Sequence, residues 1–242
     1  MRVDINCDMG EAFGLYRMGD DEGIMPFITV ANVACGFHAS DPVVMQNTVR
    51  LAKKHGVKVG AHPSYPDLQG FGRREMKMSP DELTALIIYQ VGALKGFLDA
   101  NGMELNHIKP HGSLYGVSAR DEAVANAVAD AAEAFGGVPL MGMANTLHED
   151  VYTKRGLPFV AEYFCDLDYT DEGGLIITRE HVSHDPDMAA AAVVRVVTEE
   201  KATSINGKEI PMRADSFCVH SDTPGAVEIA AAVHAALKPY LN

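Results

Sequence analysis

Seven short apolar runs punctuate this 242-residue chain, and six of them end in an ionisable side chain. The runs are Val3–Asp8, Ala34–His38, Val57–His62, His107–His111, Val138–Gly142, Phe159–Glu162 and Phe217–His220, and only Val138–Gly142 lacks such an end. Their alternation restricts the fold further. Val3, Ile5 and Cys7 share one strand face while Asp4, Asn6 and Asp8 share the other; Val57, Val59 and Ala61 likewise oppose Lys58, Gly60 and His62. An open parallel sheet, covered by helices on both sides, is apolar on both faces. One apolar and one polar face instead predicts a closed β/α barrel whose interior turns polar toward an active-site mouth. Parallel strands in a barrel deliver their C-terminal ends to one face, so the strand-end groups are expected to converge. That argues for an enzyme.

Helical patterns alternate with these runs, as a parallel sheet requires. Asp41-Pro42 opens one helix, which ends near Leu51 and His55. Ser79-Pro80-Asp81-Glu82 opens another, with an apolar stripe through Leu83, Leu86, Ile87, Val91 and Leu94. Further helices are predicted over 120–135, 146–155, 186–200 and 225–237. Asn206-Gly207 predicts a hairpin before the last strand. The stretch from Gly60 to Met78 has no clear period, and long loops of this kind are often functional. No linker or repeat interrupts the pattern, so residues 1–242 are read as a single β/α-barrel catalytic domain. The Gly-x-Gly-x-x-Gly fingerprint, the Gly-x-Ser-x-Gly elbow and the phosphate-binding P-loop are all absent from the sequence.

The formal charge, 20 − 33 = −13, is spread along the chain with no basic stripe, which disfavours nucleic acid and anionic membranes as partners. Cys7, Cys35, Cys165 and Cys218 are too dispersed for a zinc ribbon or disulfide framework. The first strand begins by Val3, leaving no room for a signal peptide, and no apolar run approaches the ~20 residues of a membrane span. A cytoplasmic location is expected.

Asp8, followed by Gly10 and Glu11, sits where a general base or a metal ligand is useful, with Asn6 on the same strand face. His38 and His62 follow consecutive strands; with Asp8 they form an Asp/His/His set suited to a divalent metal. Lys109 and His111 alternate and point to one side, a geometry that His220 and Asp222 repeat at the last strand. A buried lysine there either carries protons or stabilises an oxyanion. Arg73 and Arg74, in Gly70-Phe71-Gly72-Arg73-Arg74, offer guanidinium forks to a carboxylate or phosphate. Glu162 is the remaining strand-end carboxylate. His181-x-x-His184 lacks the glutamate of a zinc-protease helix and is set aside, as are His55, His148 and His234 on predicted helices. Substitution of Lys109 or His62 by alanine is expected to lower catalysis while leaving the fold intact.

The ordered motifs Asp8-x-Gly10-Glu11, Asn32-x-Ala34-Cys35-Gly36-Phe37-His38-Ala39, Gly60-Ala61-His62-Pro63, Pro66-Asp67-x-x-Gly70-Phe71-Gly72-Arg73-Arg74, Lys109-Pro110-His111-Gly112 and Ala161-Glu162-x-Phe164 closely resemble the LamB/YcsF family, nearly end to end. The resemblance implies a distorted, seven-stranded, TIM-like β/α barrel, similar to sugar-deacetylase and related glycoside hydrolase folds. It implies the A subunit of a 5-oxoprolinase, opening 5-oxoproline to L-glutamate at the expense of ATP, with partner subunits B and C. ATP, with Mg2+, would be a co-substrate bound wholly or partly by those partners. Asp8, Glu11, His62, Lys109 and His111 would then be catalytic, and Asn6, His38, Arg73, Arg74, Glu162, His220 and Asp222 would hold the lactam. A stand-alone, metal-dependent deacetylase or amidohydrolase is the rival reading, and a non-catalytic small-molecule-binding subunit is a second. Four departures from the family pattern stand out: Ser40 and Ser221 for glycine, Gly116 for asparagine and Leu167 for arginine. Loss of that arginine beside Asp168 inverts charge near the site.

Overall fold

In the computed structural model, which describes residues 2–176 and 184–242, seven parallel strands close into a barrel. They are β1 (Asp4–Met9), β2 (Val30–Ala34), β3 (Lys58–His62), β4 (Leu105–Ile108), β5 (Leu140–Gly142), β6 (Phe159–Phe164) and β9 (Ser216–His220). β9 completes the ring by pairing with β1 (Asp8 beside His220) and with β6 (Glu162 beside Ser216). The hairpin expected at Asn206-Gly207 is present as β7 (Lys201–Thr203) and β8 (Glu209–Pro211), and Gly207 takes the positive φ that its turn requires.

The helices are α1 (Asp21–Ile24), α2 (Pro42–His55), α3 (Pro80–Ala100), α4 (Gly112–Ser118), α5 (Glu122–Glu133), α6 (Leu147–Lys154), α7 (Pro186–Glu199) and α8 (Ala226–Leu237). The expected helix starts are visible as caps. Asp41 accepts from the Val43 and Val44 amides, and Ser79 and Glu82 form a reciprocal capping box. Two short helices, α1 and α4, carry no periodic signal of their own and were not anticipated. His181 lies outside the described residues.

One expectation needs correction. The 21-residue α3 is long and apolar enough, by length and mean hydropathy, to cross a membrane. Here it packs on the barrel through Leu83, Ile87, Val91, Leu94 and Leu98, while Asp81, Lys95 and Asp99 face outward. It is an amphipathic core helix.

Strand alternation works as expected. Ile5, Cys7, Met9, Val59, Ala61, Phe217 and Val219 are buried in the apolar cluster that includes the helix side chains. The inside is more polar than a conventional barrel core. Asn6 donates to Ser216 Oγ (2.8 Å), Asn32 donates to both Asn6 Oδ1 and Asp8 Oδ1 (2.8 Å each), and His107 Nε2 donates to Asn32 Oδ1 (2.7 Å). Gly60 makes this possible: a Cβ there would lie 2.0 Å from the His107 ring. The β3–β4 register shifts between Val59 and Ala61, at that same crowded point, and β4 shares only Ile108–Leu140 with β5. The barrel is therefore distorted where the imidazole occupies its interior.

Candidate functional site

The strand-end groups do converge. Lys109, one residue beyond β4, runs into the barrel and is 2% exposed. Its Nζ lies 2.7 Å from Glu162 Oε1, 3.1 Å from Asp8 Oδ1, 3.3 Å from Cys218 Sγ and 3.4 Å from Asn6 Oδ1, and 5.1 Å from the centre of the Phe164 ring. Burial alone would lower the lysine pKa, but Asp8 and Glu162 outweigh it and hold the ammonium well above its ordinary value. Burial would likewise raise Asp8, yet His62 and Lys109 hold it well below the usual carboxylate range. Asp8 is thus an ionised carboxylate, fixed through Oδ1 by Asn32 and Lys109 and through Oδ2 by His62 Nε2 at 3.1 Å.

A second group of buried residues adjoins it. His111 Nδ1 is 3.0 Å from His62 Nε2 and 3.6 Å from Glu11 Oε1, and His38 Nε2 is 3.0 Å from the same Glu11 oxygen. The His38 and His111 rings stack at 3.7 Å, whereas those of His62 and His111 are nearly perpendicular. Burial, with Asp8 and Asp222 nearby, pushes Glu11 well above its usual range; burial, with neighbouring imidazoles, holds His38 and His111 well below theirs. The long loop after β3 closes over this group. Phe71 O accepts from His111 Nε2 (2.8 Å), and Gly72 O accepts from the Ser113 amide (2.9 Å). Gly112 is required at that seam, since a Cβ would lie 2.7 Å from Gly72 O.

His220 faces Asp8 across 4.0 Å and is held from behind by Asp166, which accepts from its Nδ1 (2.9 Å) and its amide (2.8 Å). Burial opposes protonation of this histidine, but Asp166 raises its pKa above the ordinary value. At the rim, Arg73 pairs with Asp222 at 2.8 Å and lies over the Phe71 ring. Arg73 lines two spaces: an inner pocket of about 50 Å3 with Asp8, His62, Lys109, His111 and His220 in its wall, and an outer cleft of about 670 Å3 that includes Asp222. The Arg73–Asp222 pair stands between them.

Arg74 pairs with Asp67 and is half exposed; it lines the outer cleft beside Arg73, but of the two only Arg73 also lines the inner pocket. The donor grouping also differs from the expected Asp8/His38/His62 set. Glu11, His38, His62 and His111 cluster together, while Asp8 clusters with Cys218 and His220. The second cluster already surrounds the Lys109 ammonium. Leu167 lines the inner pocket, but the exposed Asp168 belongs to a different groove beside α7, so the anticipated charge inversion does not reach the pocket. Ser40 adopts φ 75°, a backbone conformation that glycine takes without strain.

Sequence reasoning missed several contributors. Asn32, His107, Phe164 and Cys218 share the polar strand faces and are legible by alternation. Tyr115, Leu175 and Asp166 are not, because loop and helix geometry brings them in. Among the set-aside histidines, His148 is fully buried, with Nε2 2.8 Å from Ser118 Oγ, in a structural role.

The family model described as "LamB/YcsF family" matches residues 3–240. A protein of Syntrophobacter fumaroxidans, named as the A subunit of 5-oxoprolinase, is 47% identical over 98% of this chain and 95% of its own length. A lactam utilization protein of Emericella nidulans is 48% identical over 93% of this chain and 90% of its own. The crystal structure of a lactam utilization protein from Thermus thermophilus superposes with a TM-score of 0.92 at 45% identity, covering 99% of this chain and 97% of that one.

Proposed function

Because the chain belongs to the LamB/YcsF family, we propose that it is the A subunit of a 5-oxoprolinase, hydrolysing 5-oxoproline to L-glutamate with ATP. Subunits B and C are its proposed partners, and they supply all or part of the ATP and Mg2+ site. The observation that carries this reading is the near-full-length identity to a protein that bears that name.

The pocket's chemistry supports it. A γ-lactam has little ring strain, so transfer of the ATP γ-phosphoryl group to the amide oxygen, releasing ADP, makes the carbonyl carbon electrophilic. A first water then adds to that carbon, the C–N bond breaks, the nitrogen takes a proton to become the amine and an acyl phosphate is left; a second water splits that to the carboxylate and phosphate. Arg73 is the cation placed for the substrate carboxylate, in a position that Asp222 otherwise occupies. Lys109 presents positive charge to oxygen as charge develops, and His220, whose affinity for a proton Asp166 raises, stands beside it. Of the two carboxylates expected to activate water, Asp8 lines the inner pocket and Glu11 stands behind His111. Asp8 is too acidic to keep a proton near neutrality and instead orients the water. The continuous contacts Asp8–His62–His111–Glu11 give the proton a route to Glu11, whose raised pKa suits it to hold one.

The test is glutamate release from 5-oxoproline in the complex assembled with its partners. Turnover should require both ATP and this chain. Turnover of another lactam or amide by this chain alone, without ATP, would favour the amidohydrolase reading, to which the Glu11–histidine cluster lends support.

A further inference from the structure

The hydrogen atoms of two site histidines are fixed by backbone carbonyls. His62 Nδ1 lies 2.7 Å from Lys109 O and His111 Nε2 lies 2.8 Å from Phe71 O, and a carbonyl only accepts. Each outward nitrogen therefore carries the N–H, which leaves the in-plane lone pairs on His62 Nε2 and His111 Nδ1. These two atoms face each other at 3.0 Å, with the rings 87° apart. Glu11 Oε1 lies 3.6 Å from His111 Nδ1. Asp8 Oδ2 also lies 3.1 Å from His62 Nε2, so four acceptor atoms meet around a place that only a cation fills, either a metal ion or the proton of an imidazolium. Ligand bonds of about 2.0–2.1 Å in a tetrahedron place donor atoms about 3.3–3.4 Å apart, and the observed separations of 3.0 and 3.6 Å bracket that edge.

We propose that Glu11, His62 and His111 bind one divalent transition metal of the zinc class. Histidines whose far nitrogen donates to a carbonyl are the usual form of metal-bound imidazole. His38 is not a ligand in this arrangement: an imidazole binds along its ring plane, and parallel rings 3.7 Å apart cannot both do so to one ion. It orients Glu11 instead, through the 3.0 Å contact. His62 and His111 also line the inner pocket, so the ion would stand in its wall as a Lewis acid. The inference concerns the pocket of the proposed reaction, and a bound ion would take the place of the proton passing between His62, His111 and Glu11; it rests on donor geometry and its test needs no lactam turnover, so either reading can fail alone.

The purified full chain, stripped with chelator, is titrated with Co2+ alone. One equivalent should bind, with the visible absorption of a four- or five-coordinate ion, and Zn2+ should displace it. His38→Gln should weaken binding by about 10- to 100-fold, as loss of an orienting partner does, and Glu11→Gln and His111→Gln by more. Far-ultraviolet circular dichroism checks that the variants fold. As a check free of variants, crystals of the unsubstituted chain soaked in Zn2+ should show one anomalous peak among Glu11, His62 and His111. Absence of Co2+ binding, affinity unchanged in Glu11→Gln and His111→Gln, or a peak elsewhere would overturn the proposal and leave a proton as the cation between the two imidazoles.

Discussion

Replacing Lys109 by methionine keeps most of the side-chain volume and removes one charge from a sealed place. The ammonium is the shared partner of Asp8 Oδ1 at 3.1 Å and Glu162 Oε1 at 2.7 Å, and all three side chains are no more than 6% exposed. Removing one member of a buried ion pair costs about 3–5 kcal/mol, because the charge left behind has neither water nor partner. Two carboxylates are left behind here, so a loss in that range is expected at pH 7.5, contrary to the idea that this position matters to catalysis alone. The pH dependence carries the sharper test. Without Lys109, burial gains on the remaining partners of Asp8 and its folded-state pKa rises above the unfolded value of about 3.9. The penalty is then nearly absent below that value and grows as pH rises toward the elevated folded pKa. Urea unfolding at pH 5.0 and pH 7.5 measures it: the variant should lose less stability at pH 5.0. Adding Glu162→Gln should recover about 1–3 kcal/mol, the range for residues in direct contact. A penalty under about 1 kcal/mol that is equal at both pH values would refute the shared-charge reasoning.

Three further outcomes follow from other contacts. Asp166 raises the His220 pKa against burial, so the stability this pair contributes is full below about pH 6.5 and is lost as pH rises through the folded value. Asp166→Asn should lower the His220 titration midpoint, followed by ring-proton NMR, and remove that part of the decline in melting temperature. In the assembled complex, Arg73→Lys should raise KM for 5-oxoproline about 10- to 100-fold, the worth of a charged hydrogen bond; Asp222→Asn should lower KM, since it removes a carboxylate that competes with the substrate's for the guanidinium, and steady-state kinetics would show both. Ser40→Gly should stabilise the fold by about 0.5–1 kcal/mol, relief of the φ 75° strain less the entropy of glycine in the unfolded chain, detectable as a rise of a few degrees in thermal unfolding.

Much of this protein could be read from residue order alone, because local alternation reports which environment each strand face must meet. Ile5 and Cys7 against Asn6 and Asp8 already demanded a sheet dry on one side and polar on the other, and a ring of such strands gathers Asp8, His62, Lys109 and His220 without further information. Asp41 and Ser79 marked helix starts because capping is a contact between near neighbours. What tertiary structure alone decided is how those groups pair. Arg73 and Arg74 are adjacent in sequence, yet one meets Asp222, 149 residues away, and the other a loop aspartate seven residues back. Asp8 meets Lys109, Asn32 and His62 while Glu11 meets His38 and His111, because the strand register and the seating of Gly72 on Gly112 set distances that no local pattern encodes. Charge pairing in a buried site depends on separations of a few tenths of an ångström across the barrel, and those exist only once every strand is in place.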